Sequence, residues 1–181
     1  MSKTLHSIQT LSKVAKVFCT VIFICCIIGG IGCIVGLVSL LGVQGFRIGG
    51  EDLADIMQRE CETNMATLYF SCVSGFILCL AECILCKFAQ RYFANELKAG
   101  TPFTYEGARE VLRLGILTIV IPIAAMIAQG IAYGVFCVFF PETAQIHTDN
   151  FVSVGMGVMF IISSLVFKYG SEIASAEEKT V

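Results

Sequence analysis

Four long stretches of this chain are almost free of charge. Residues 17–46 carry no charged side chain over 30 positions, 114–141 none over 28, and 150–167 none over 18. The remaining stretch, 63–86, is interrupted only by Glu82. At about 1.5 Å of rise per residue, roughly 20 apolar residues in a helix cross the hydrocarbon layer of a bilayer. Buried helices of a water-soluble core are usually shorter and keep one polar face. The pattern therefore predicts an all-α, integral membrane four-helix bundle forming one membrane domain over 1–181. Its spans are expected near 17–43, 63–86, 114–140 and 150–167, and lipid is the first partner the chain implies.

Composition agrees. Hydrophobic residues make up 56% of the chain and charged residues 14%, against about 25% charged in an ordinary soluble domain. The net charge of −2, with no strongly basic segment, gives no footing for direct nucleic-acid binding. Lys3, Lys13 and Lys16 precede the first apolar run as they would in a secretory leader. That run is much longer than the roughly 7–15 residues of a leader core, and no small-x-small cleavage site closes it. It reads as a retained first helix.

Lysine and arginine collect on the cytoplasmic side of membrane proteins. Lys3, Lys13 and Lys16 lie before the first span; Lys87, Arg91, Lys98, Arg109 and Arg113 lie between the second and third; Lys168 and Lys179 follow the fourth. Only Arg47 and Arg59 fall between the first and second, and none between the third and fourth. Both chain ends are therefore expected in the cytoplasm, in a plasma membrane.

The polar segment 87–113 is then a cytoplasmic elbow. Nothing between Lys87 and Leu97 breaks a helix, so the second helix is expected to continue to Lys98, with Gly100 in the left-handed position beyond its end. Pro102 disfavours helix at Thr101, and Thr104 suits the N-cap of the next helix, with Glu106 in its first turn. Glu106, Arg109, Glu110 and Arg113 fall on one stripe and Ala108, Val111, Leu112 and Gly115 on the other, an amphipathic helix leading into the third span. In the outer loop, Gly49-Gly50 breaks the chain, and Leu53, Ile56, Met57 and Cys61 are spaced as an amphipathic helix. Its acids lack the ligand spacing and turn glycine of a calcium loop.

The run "LKAGTPFT" at 97–104, followed by "VLRLG" at 111–115, resembles the elbow of a bacterial four-helix membrane family, domain of unknown function 2975. The tail "FKYGSEIASAEEKTV" is similar to that family's Gly-x-x-Leu and acidic ending, with Ile173 in place of the usual Leu. The resemblance implies a bacterial inner-membrane protein and a partner that is a small helix-turn-helix transcription regulator. The elbow's charged stripe, taken with this resemblance, makes Pro102, Phe103, Thr104, Arg109 and Arg113 a candidate interaction surface.

Glu82 is the one ionisable residue inside a span. It reads either as a proton or cation site or as a carboxylate reaching the nearby surface toward Lys87 or Arg91. Gln129 in the third span can hydrogen-bond across helices, and Pro122 interrupts that helix's backbone bonding. Gly29, Gly32 and Gly36 in the first span, with the Gly32-x-x-x-Gly36 pattern, and Gly155 and Gly157 in the fourth are small residues that permit close helix packing or dimer formation. Ten cysteines include Cys79, Cys83 and Cys86 on one face, but only a single Cys-x-x-Cys pair and no zinc spacing. No metal or cofactor is expected, and no catalytic motif is present. Three functions stay open: an interaction protein using the elbow and tail, a small oligomeric transporter or channel using Glu82 and Gln129, and a membrane immunity or lipid/peptide-binding protein.

Overall fold

The computed structural model describes residues 3–40, 47–48, 51–52, 64–100, 104–141, 143 and 151–178. Four helices dominate them: α1 (Lys3–Leu40), α2 (Met65–Ala99), α3 (Tyr105–Phe139) and α4 (Phe151–Glu178). Each contains a stretch long and apolar enough to cross a membrane, Gln9–Leu40, Met65–Ala99, Tyr105–Phe139 and Gly155–Ile173. The helices outrun the spans drawn from charge. α1 starts upstream of Lys13 and Lys16, and α4 continues through most of the segment assigned to a tail. Helix persists past an apolar run because nothing in those flanks, neither Pro nor a Gly pair, stops it.

The segment between α1 and α2 corrects one expectation. Glu51 and Asp52 were expected to open an amphipathic helix; they form a short strand, β2 (Glu51–Asp52), antiparallel to β1 (Arg47–Ile48). Arg47 stands opposite Asp52 and Ile48 opposite Glu51. Two glycines between two short runs are a hairpin signal as well as a chain break. Leu53, Ile56, Met57 and Cys61 lie outside the described residues.

The outer faces are the apolar ones. Along α1, Val14, Val17, Val21, Ile24, Ile28 and Ile31 follow one another at helical spacing and all are exposed. A continuous apolar stripe of this length is untenable in water and ordinary in lipid. The buried positions are instead rich in small and weakly polar residues: Ser12, Thr67, Ser74, Gln129, Ser164, Cys72, Cys86 and Ala125. That distribution is expected where lipid removes the hydrophobic drive and packing and interhelical hydrogen bonds replace it.

The contacts divide the chain into two compact units, the first formed by Met1–Ile24, Cys83–Ile123 and Asp149–Val181, the second by Cys25–Glu82 and Ala124–Thr148. The division of α3 falls just after Pro122. In the second unit Phe70, 2% exposed, meets Tyr133 and Phe136 edge-on at centroid distances of 5.5 and 5.9 Å. Leu40, Leu68 and Cys72 cluster nearby in sequence order, and the Tyr69 hydroxyl donates to the Leu40 carbonyl, satisfying one acceptor left over at the end of α1. In the first unit Tyr92, Val111 and Leu114 form the buried core, with Phe88, Phe93, Phe160 and Phe167 packed against it. There α3 and α4 meet tightly at two glycines: a methyl carbon on Gly157 would stand 2.9 Å from the Gly115 carbonyl oxygen and against Ile119.

Candidate functional site

The first unit gathers the start of α1, the polar end of α2, the start of α3 and most of α4. The elbow itself is built by local chemistry. Gly100 takes a φ of +75°, and its N–H donates to the Glu96 carbonyl at 3.0 Å, closing the last turn of α2. A Cβ there would be strained, which is why the glycine suits this place. Thr104 caps α3: its hydroxyl accepts from the Gly107 N–H at 3.0 Å, and its carbonyl accepts from Ala108 N–H at 2.9 Å. Both features agree with what the sequence predicts. Pro102 and Phe103 lie outside the described residues.

From the cap onward α3 is two-faced. Ala108, Val111, Leu114 and Gly115 are buried, and Glu106, Arg109 and Arg113 are exposed. Leu112, expected on the inner face, is exposed, and Leu114 takes the inner position. The charged stripe of Glu106, Arg109 and Arg113 therefore stays outside; Glu110, half-buried, turns to α2 and accepts from the Asn95 side-chain amide at 2.7 Å.

A further set of polar ties joins α2 to α1. The Ser12 hydroxyl donates to Glu96 Oε1 at 2.8 Å, the Gln9 amide to the Gly100 carbonyl at 3.2 Å, and the Gln90 amide to the Cys19 carbonyl at 3.3 Å. Lys87 extends its ammonium over the Phe23 ring, 4.6 Å from the centroid, a contact favourable by electrostatic attraction to the ring face. Tyr92 lies among these groups, in the charged part of α2 beyond the apolar run. It is buried, 8% exposed. None of Gln9, Ser12, Asn95 or Glu96 stood out in the sequence. Their only signal was polarity at a helix end, which surface residues share.

A polar cavity of about 380 Å³ opens between the end of α2 and the first turns of α3, lined by Glu96, Lys98, Thr104, Glu106 and Glu110 among others. Among the described residues, no group of three or more His, Cys, Asp or Glu side chains is arranged to hold a metal ion.

The other sequence candidates fall in the second unit or on α4, and the structure separates them. Gln129 is buried, and its amide donates to Ser74 Oγ at 2.9 Å and to the Ser74 carbonyl at 3.4 Å, tying α3 to α2. Glu82 is exposed on α2. The two residues expected to share a polar path thus occupy different surroundings, one inside the unit and one on its outer surface. If the Gln129–Ser74 bond holds α2 to α3, then a double-mutant cycle of Gln129→Leu and Ser74→Ala in detergent unfolding should give a coupling of about 0.6–1.7 kcal/mol; additivity within experimental error would contradict it.

The glycines are also redistributed. Gly36 is buried, but Gly32 and Gly155 are exposed, with open space where a Cβ would sit. Among the candidates the close approaches fall at Gly29 and Gly157, and Gly75 adds one the sequence did not single out. Cys79 Sγ lies 3.2 Å from where a Gly29 Cβ would be, and Cys33 Sγ 3.0 Å from one on Gly75. Cysteine thiols thus fill notches left by glycine on the facing helix, as small apolar groups do. No disulfide joins any of the described cysteines.

These features define an all-helical protein with four helices of membrane-spanning length and composition, that is, a multi-pass membrane protein by architecture. No protein-family model matches the chain, no curated protein matches it, and no solved structure matches it.

Proposed function

We propose that this is a multi-pass membrane protein that acts through protein interaction at its elbow, with both chain ends and the elbow in the cytoplasm. One observation carries the reading. The start of α3 spends its apolar face on packing and leaves Glu106, Arg109 and Arg113 exposed, on an element fixed by a caps-and-ties framework. A rigid helix that presents arginines outward is suited to recognising carboxylates on a partner. Ten of the 12 Lys and Arg residues lie in the unit that contains the elbow, and this asymmetry supports the cytoplasmic assignment. The resemblance to the domain of unknown function 2975 family suggests a small helix-turn-helix regulator as the partner, and a bacterial inner membrane as the location.

Crosslinking in native membranes followed by purification of the full chain tests the reading. The expected result is a soluble protein recovered with the wild type and lost, by about tenfold or more, from Arg109→Ala/Arg113→Ala, while membrane insertion of the variant is unchanged. Equal recovery from both, or no soluble protein from either, would overturn it.

A further inference from the structure

A second, half-open cavity in the first unit, of about 320 Å³, is lined from all four helices and differs in character from the polar one. Four aromatic rings line it, Tyr92, Phe93, Phe160 and Phe167, together with aliphatic side chains. Its one charged lining residue is Glu96, and the Ser12 hydroxyl, also on the lining, holds that carboxylate by donating to Oε1 at 2.8 Å. We propose that this cavity is a binding site for an amphipathic organic cation, its apolar body among the aromatic rings and its ammonium beside Glu96.

Three features support this chemistry. The size falls within the range of small-molecule pockets, about 300–1,000 Å³. Aromatic faces attract cations, and quaternary ammonium groups are held by clusters of rings in this way. The one charge on the cavity lining is the Glu96 carboxylate, which locally favours a cation over an anion. An acyl chain alone would fill the apolar volume but has no group to meet Glu96; a lipid offers one only where its headgroup carries an ammonium. The cavity also has a suitable depth: Leu11 and Ser12 precede the first apolar run, and Phe167 closes the last. An amphipathic cation would thus keep its charge at the polar end of the helices. The proposal stands independently of the protein-partner reading and needs no partner for its test.

The test uses the full chain in nanodiscs of phosphatidylglycerol, whose headgroup carries no ammonium to compete, with radiolabelled benzyltrimethylammonium as probe and empty discs as background. Saturable binding is expected at about one probe per chain, displaced by unlabelled probe and not by benzenesulfonate. Glu96→Gln should weaken binding about tenfold, the loss of one close charge pair near a protein surface, while Glu96→Asp retains most of it. Ser163→Phe, which fills the cavity from α4 without touching the carboxylate, should abolish binding in a protein that still purifies as a monodisperse species. Binding absent above the empty-disc background would overturn the proposal. So would binding unchanged in Glu96→Gln but displaced by 1-dodecanol, which would make the cavity a lipid-chain site.

Discussion

Gly157→Val is expected to destabilise the protein by about 3 kcal/mol, at the upper end of the usual cost of overpacking. The reason is that the added carbons meet the backbone. The first would lie 2.9 Å from the Gly115 carbonyl oxygen and against the Ile119 side chain, and a carbonyl on a rigid helix cannot rotate away as a side chain can. α3 and α4 would have to part, and the surrounding Phe160 and Leu114 contacts would loosen with them. Gly155→Val is the matched control. It lies on the same helix two residues earlier, with nothing within 4 Å of a Cβ, and should change stability by less than about 0.5 kcal/mol. Unfolding in mixed detergent micelles measures both. Similar losses for the two variants would mean that α3 and α4 do not meet at Gly157.

Phe70→Ala should cost about 3 kcal/mol, the low end of the range for truncating a buried phenylalanine. Phe70 is the one large side chain in the described residues with almost no exposed surface, and it packs edge-on against both Tyr133 and Phe136. Its removal leaves a cavity that two rings on a neighbouring helix cannot close. The low end is expected because helix association in lipid gains no water-to-oil transfer energy, so only the lost contacts count. Phe76→Ala on the same helix, where the side chain is 36% exposed, should cost much less. The same unfolding assay separates them, and equal losses would contradict the placement of Phe70 at the centre of the second unit.

The number and type of helices were legible because lipid imposes length and apolarity on any span, and both can be counted in the sequence. The elbow was legible for a different reason. Gly100 and Thr104 act through their own backbone and neighbours, so a left-handed end and an N-cap can be read without knowing what packs where. The rotation of each helix was not legible. A span that is apolar all round has no polar face to set its phase, so nothing in the sequence favoured Gly157 over Gly155 as the contact, or Gly29 over Gly32. The same ambiguity put Leu112 inside and left Leu114 unmentioned. Gln129 was legible as a polar residue in need of a partner, but Ser74, which accepts from it, is one of many serines. The polar ties of Gln9, Ser12 and Glu96 were hidden because their meaning depends on α1 running alongside the end of α2, which is a tertiary fact. The pairing of Arg47–Ile48 with Glu51–Asp52 was not legible because a Gly-Gly pair in a sequence marks a chain break as readily as a break between strands.

The proposed topology is four spans with the elbow and both chain ends in the cytoplasm. The most direct test fuses two reporters in turn after Gly100, Thr148 and Val181: a fluorescent protein that matures only in the cytoplasm and a phosphatase that is active only outside it. The account predicts fluorescence after Gly100 and Val181 and phosphatase activity after Thr148. Phosphatase activity after Val181, or fluorescence after Thr148, would contradict it.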